Sequence, residues 1–173
     1  MELIAASRIA KARNAAEGLD PYTRALTRSI AAVALHDSES DHPMLTERTD
    51  TNRVAVLVVT SDRGMAGAYS SSVLREADRL VGQLREEGRY MQSARVKGVY
   101  ISPRNWVFFR GVEVVKSWTG ESDNPSIAMS DDVASTLLRR YLAPADDGGV
   151  AELIVVCTRF VSMVSQVVQV RHM

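Results

Sequence analysis

Val54-Ala55-Val56-Leu57-Val58-Val59 runs straight into Thr60-Ser61-Asp62-Arg63-Gly64-Met65-Ala66-Gly67, and this junction decides the fold class. The run is apolar at every position and rich in valine rather than alternating, which is what a strand covered on both faces requires. After the loop, Val73, Leu74, Ala77, Leu80, Val81 and Leu84 recur at helical spacing. Ser70 or Ser71 is placed to cap that helix and Gly88 to end it. A buried strand, a loop and an amphipathic helix make the first half of a parallel crossover.

The alternation continues toward the carboxyl end. Ala94 to Ile101 is a second strand candidate, followed by a short helix opening at Ser102-Pro103 and a third strand at Val112-Glu113-Val114-Val115 with Gly111 as its turn. Asn124-Pro125-Ser126 opens a helix that runs to about Tyr141, and Asp131-Asp132 is expected in its first turn, facing the positive end of the helix dipole. Pro144-Ala145-Asp146-Asp147-Gly148-Gly149 breaks the pattern. Glu152 to Thr158 is a fourth buried strand, and Val164 to Arg171 alternates like an edge strand returning beside it. These elements predict an α/β fold, a Rossmann-like, mostly parallel sheet of about five strands flanked by helices.

Toward the amino end the composition changes. Glu2 to about Leu35 is rich in Ala, Arg, Leu and Ile, the composition of a long helix. Gly18 and Pro21 interrupt it, predicting a kink or two consecutive helices with Asp20 as the second N-cap. Leu19, Tyr22, Leu26, Ile30 and Val33 form a stripe expected to pack on the rest of the domain. In the first half, Ala5, Ala6, Ala10, Ala12, Ala15 and Ala16 are small enough for a second helix to approach closely, and Arg8, Lys11 and Arg13 add positive charge. The expected organisation is a projecting amino-terminal helix over 1–36, a polar connecting loop over 37–52 and an α/β domain over 53–173.

The 173 residues are 46% hydrophobic and 24% charged, enough apolar mass for one core. Lys plus Arg and Asp plus Glu stand at 21 each, so bulk charge draws the chain toward neither nucleic acid nor an anionic membrane. The lone Cys157, inside Leu153-Ile154-Val155-Val156, is expected to be buried, and no intrachain disulfide is possible. No apolar run is long enough to span a bilayer, and the first residues lack the order of a secretory signal, so the expectation is a soluble chain that is not exported.

Candidate chemistry is sparse. The Ser61 to Gly67 loop stands where nucleotide-binding α/β proteins hold phosphate on backbone amides, yet it has only Gly64 and Gly67 and no following lysine, so it fits neither the dinucleotide nor the Walker pattern. His36, His42 and His172 are spaced unlike metal ligands and read as solvated. Trp106, Phe108, Phe109 and Trp118 are read as sheet packing rather than a stacking platform. No catalytic residue, metal site or cofactor is expected.

Four stretches then resemble one family, the gamma subunits of F-type ATP synthases. Leu3-Ile4-Ala5-Ala6-Ser7-Arg8-Ile9-Ala10-Lys11-Ala12 is similar to the family's amino-terminal helix. Thr60 to Ala68 resembles its Ser-Asp-Arg-Gly-Leu-Cys-Gly-Gly loop, with Met65 for Leu and Ala66 for Cys. Gly120 to Pro125 and Phe160-Val161-Ser162-Met163-Val164-Ser165-Gln166 resemble two later stretches, in family order. The turn after the second strand, Val99 to Arg104, lacks the usual glycine.

The resemblance implies a non-catalytic central-stalk subunit that transmits torque between the c-ring and the hexamer of catalytic and non-catalytic subunits, touching the epsilon subunit and binding no nucleotide. It implies that Met1, Glu2, Ser7, Arg8, Lys11, Asp62 and Arg63 are partner-interface residues. It implies a place at the cytoplasmic face of the cell membrane within a peripheral complex, without insertion into the bilayer and without nucleic acid. Family members pair their first helix with a long carboxyl-terminal one that does not appear before Met173, so the chain is expected to be either a cut piece or a natural short paralogue, with a homodimer of the solitary chain as a further possibility. Two other readings stand beside it: a small α/β domain using Ser61 to Gly67 as an anion or nucleotide cradle, and a non-rotary interaction module.

Overall fold

The structure is a computed structural model that describes residues 2–36, 42–62, 66–88, 97–100, 113–122, 124–162 and 165–173. Backbone contacts divide it into two compact units, Met1–Glu47 and Arg48–Met173.

The first unit is built on α1, Glu2–His36, which is continuous through Pro21. Neither an interruption nor an Asp20 N-cap forms. Instead Asp20 sits inside the helix and pairs with Arg24 one turn on. Pro21 removes one backbone hydrogen bond, a cost of about 3 kcal/mol in a helix interior, and the flanking helix formers carry the helix past it. Arg13 donates to Glu17 at 2.6 Å, and Thr23, Thr27 and Ser29 return their hydroxyls to carbonyls four residues back. The expected burial of the apolar stripe is not found: Leu19, Tyr22, Leu26, Ile30 and Val33 are all exposed, Tyr22 at 67%. Helical spacing establishes that these side chains share a face and leaves open what covers it.

The second unit is α/β. Its elements are β1 (Val54–Val58), α2 (Tyr69–Glu86), β2 (Lys97–Tyr100), β3 (Glu113–Ser117), α3 (Ile127–Leu142), β4 (Glu152–Phe160) and β5 (Gln166–His172). Among the described residues the strands form one sheet in the order β3-β2-β1-β4-β5. β1 is parallel to β2 and β4, β2 is parallel to β3, and β5 returns antiparallel to β4 at the edge.

The valine-rich junction read first in the sequence is the centre of the sheet, and all five residues of β1 are buried. Successive side chains of a strand point to opposite faces. Val54, Val56, Val58, Ile154 and Val156 accordingly meet Val73, Leu74, Ala77, Leu80, Val81 and Leu84 of α2. On the other face Leu57 and Trp118 pack with Val115, Val155 and, from α3, Met129, Val133 and Leu137. Each fully buried aliphatic side chain stabilises the fold by roughly 1.5–3 kcal/mol, so the two layers hold the sheet between them.

Local details differ from expectation in three places. α2 starts after Ala68 with no side-chain cap; Ser70 Oγ accepts instead from the Ser61 amide at 3.1 Å, and the Ser71 hydroxyl donates to Ala68 O at 3.0 Å. The third strand is shifted toward the carboxyl end, reaching Ser117. α3 is capped by Ser126, whose Oγ accepts from Met129 N at 3.1 Å, so Asp131 and Asp132 fall beyond the first turn. The expected helix at Ser102-Pro103 and the turn at Gly111 lie outside the described residues, as do Trp106, Phe108 and Phe109.

Candidate functional site

Ser7 and Lys11 lie four residues apart on α1 and are exposed, so they share one solvent-facing side of the helix. Glu2 and Arg8 are placed in α1 by their backbone, and Met1 and Arg63 lie outside the described residues. Asp62 belongs to the other unit, at the exit of β1.

Asp62 is the residue whose role the structure makes concrete. Its Oδ2 accepts from Gly120 N at 2.9 Å and from Ser122 N at 3.1 Å, while its own amide donates to Ser122 Oγ at 2.9 Å. One loop, fifty-eight to sixty residues away in sequence, is thereby clamped to the end of the central strand. Gly120 adopts a φ of 94°, a left-handed conformation open to glycine, which lets this loop turn its amides toward the carboxylate. Next to it Glu121 Oε2 accepts from Ser126 N at 3.0 Å. Hydrogen bonding from the Ser126 side chain, and then from its amide, holds the Glu121 carboxyl below the usual carboxylate range. The sequence singled out both stretches as separate motifs; their pairing is tertiary.

This geometry closes part of the loop to a phosphate, while Arg63, Gly64 and Met65 lie outside the described residues. A cradle needs free amides and no competing anion. The amides of Ser61 and Asp62 are committed to serine hydroxyls, and the amides across the gap are taken by a carboxylate. Among the described residues no three His, Cys, Asp or Glu side chains are grouped to hold a metal ion. His36 bonds Ala32 O within its helix, His42 Nδ1 accepts from Met44 N, and His172 pairs with Glu152. Cys157, expected to be buried, is half-buried, because it alternates onto the same face of β4 as Leu153 and Val155, which are half-buried too. No described helix is long and apolar enough to cross a membrane.

A second cluster went unread in the sequence. Asp132 Oδ2 accepts from Lys116 Nζ at 2.5 Å and from Trp118 Nε1 at 2.6 Å, and the Lys116 ammonium stands 5.2 Å from the centre of the Trp118 ring. Hydrogen bonds from Lys116 and then Trp118 hold the Asp132 carboxyl below its ordinary range. Periodicity gives no sign of this, since strand and helix meet only through the crossover.

Comparison with known proteins supplies the family. The family model described as ATP synthase matches residues 1–173. The ATP synthase gamma chain of Beutenbergia cavernae is 54% identical over 169 residues, covering 96% of this chain and 54% of that protein. The ATP synthase gamma chain of Acidothermus cellulolyticus is 49% identical over 175 residues, covering 99% of this chain and 56% of that protein. That of Bifidobacterium adolescentis is 41% identical, with 99% and 55% covered. The chain therefore spans about half the length of the curated relatives it matches. With every residue from 1 to 173 inside the match, the chain belongs to the ATP synthase gamma-chain family.

Proposed function

We propose that this chain serves in the central rotor stalk of a proton-translocating F-type ATP synthase, carrying torque between the c-ring and the catalytic hexamer without catalysing a reaction itself. The observation that carries the proposal is the family match across the whole of residues 1–173. The structure supports it in two ways. α1 is one uninterrupted helix of 35 residues, about 52 Å at the usual rise per residue. Its basic, alanine-rich half has the composition of a helix that packs closely on another. The Asp62 clamp, in turn, ties the β1 exit to the loop at Gly120 and Ser122.

In this reading Met1, Glu2, Ser7, Arg8 and Lys11 face the catalytic and non-catalytic subunits, where positive charge on the shaft meets acidic loops. Asp62 and Arg63 belong to the foot of the stalk, toward the epsilon subunit and the c-ring. The complex works at the cytoplasmic face of the membrane, and this chain enters no bilayer. The organisation follows: a shaft helix over 1–36, a connection over 37–52 and a stalk-foot domain over 53–173.

Calorimetric titration of the chain against the epsilon subunit of the same organism, with magnesium ATP as the control ligand, tests the proposal. Saturable epsilon binding with no nucleotide binding is expected. Nucleotide binding without affinity for epsilon would overturn it and return attention to Ser61 to Gly67.

A further inference from the structure

On the face of the sheet opposite α2, the last two turns of α3 and the edge strand β3 enclose an open cleft of about 350 Å³. It is lined by Val115, Lys116, Thr136, Arg139, Arg140 and Ala143. Positions 136, 139, 140 and 143 follow the spacing that puts helical side chains on one face. Small residues at 136 and 143 leave room where a leucine would fill the gap, and three cationic side chains border that room.

The charges are not consumed by the fold. Basic residues in the last turn of a helix ordinarily compensate its exposed carbonyls, but that duty is met elsewhere. Arg48 donates to Tyr141 O and, at 2.8 Å, to Ala143 O; Ala143 N bonds Arg139 O at 3.0 Å and Val150 N bonds Arg140 O at 3.1 Å. The Arg140 guanidinium makes no hydrogen bond or ion pair with any described residue. Arg139 gives its Nε to Ser135 O at 3.3 Å and stands close enough to Asp132 to help lower that carboxyl's pKa, its other guanidinium nitrogens making no hydrogen bond with a described residue. Lys116 is shared with Asp132, whose single negative charge leaves two of the three positive charges uncompensated. Thr136 is 6% exposed, and its hydroxyl oxygen has no partner among the described residues. A buried hydroxyl without a partner costs free energy unless something supplies one.

We propose that this cleft binds a phosphate group. Two planar guanidinium groups and an ammonium match the charge of a phosphate dianion and the geometry of its oxygens. The cleft's volume takes a headgroup-sized anion rather than a folded partner. The source of the group is either free phosphate or the headgroup of an anionic lipid, the chemistry being common to both. The site shares no residue with the Asp62 clamp or with the α1 residues assigned to subunit contacts, so it stands or falls independently of the rotor reading.

The test is a titration of the purified chain, at low ionic strength, with inorganic phosphate and pyrophosphate by calorimetry. Alongside it, the chain is sedimented with vesicles of phosphatidylglycerol and of phosphatidylcholine. Arg140→Gln should weaken binding about tenfold or more, the usual effect of removing one charge-assisted contact. Arg79→Gln, on α2 at the other face of the sheet, should leave it unchanged. Arg139→Gln serves as the second variant should Arg140→Gln lose the wild-type circular dichroism. Binding of phosphate or pyrophosphate that falls in the cleft variants supports a free-phosphate site. Sedimentation with phosphatidylglycerol alone, falling in the same variants, supports the lipid source. Absence of binding in both arms, equal sensitivity to Arg79→Gln, or oligoglutamate binding more tightly than any phosphate species would overturn the proposal.

Discussion

Asp62 shows how one carboxylate can hold a loop cluster together. Its Oδ2 serves the amides of Gly120 and Ser122, and removing it leaves both donors without their protein partner. Asp62→Ala is expected to destabilise the α/β unit by ~1–3 kcal/mol, read as a lower urea midpoint; an unchanged midpoint would mean that water replaces the clamp at no cost. Asp132 works through charge as well. Its folded pKa lies below the ordinary carboxylate value, held there by Lys116 and Trp118. A depressed pKa contributes stability that is fully present above the unfolded value, about pH 4, and is lost as pH falls through the folded one. Wild type should therefore exceed Asp132→Asn in urea midpoint at neutral pH, and the gap should close progressively in acid. A gap independent of pH would show that the pairing acts through shape alone.

At the scale of elements, the connection from α3 to β4 is closely packed at Gly149. A Cβ on Gly149 would stand 2.0 Å from Ala143 O and 2.7 Å from Pro144 O, both main-chain atoms with no flexible end to move aside. Gly149→Ala should cost at least about 2 kcal/mol by overpacking, and thermal unfolding should register it. α1 offers the opposite case. Gly18 lies within the helix with nothing within 4 Å of an added Cβ. Gly18→Ala should favour the helix by about 1 kcal/mol, raising the helical signal in far-ultraviolet circular dichroism, and a fall in that signal would contradict the continuous helix. The contrast explains why glycine in sequence is ambiguous: both positions look like breakers, and only packing separates the required one from the tolerated one.

For the molecule as a whole, the central strands set the stability of the α/β unit. Ile154 is 1% exposed near the amino end of β4, beside β1 and under α2. Ile154→Ala should cost ~2–5 kcal/mol, a large part of the 5–15 kcal/mol typical of a domain, and equilibrium denaturation would measure it. By itself the sequence determined the family, the α/β class and most element positions, because hydrophobic period, valine-rich runs and Gly/Pro punctuation are local signals. The valine run at 54–59 marked the sheet's centre, and the 164–171 alternation marked its edge. Local signals also misplaced details: Ser70 resembles a cap until it proves to lie inside α2 and to be claimed by Ser61, and a proline in α1 resembles a break until the flanking helix formers override it. Only the tertiary structure decided that Asp62 meets Gly120 and Ser122, that Asp132 meets Lys116 and Trp118, and that three cations border one cleft. Contacts between residues far apart in the chain leave no periodic trace, and they exist only once the crossovers have stacked helix on sheet.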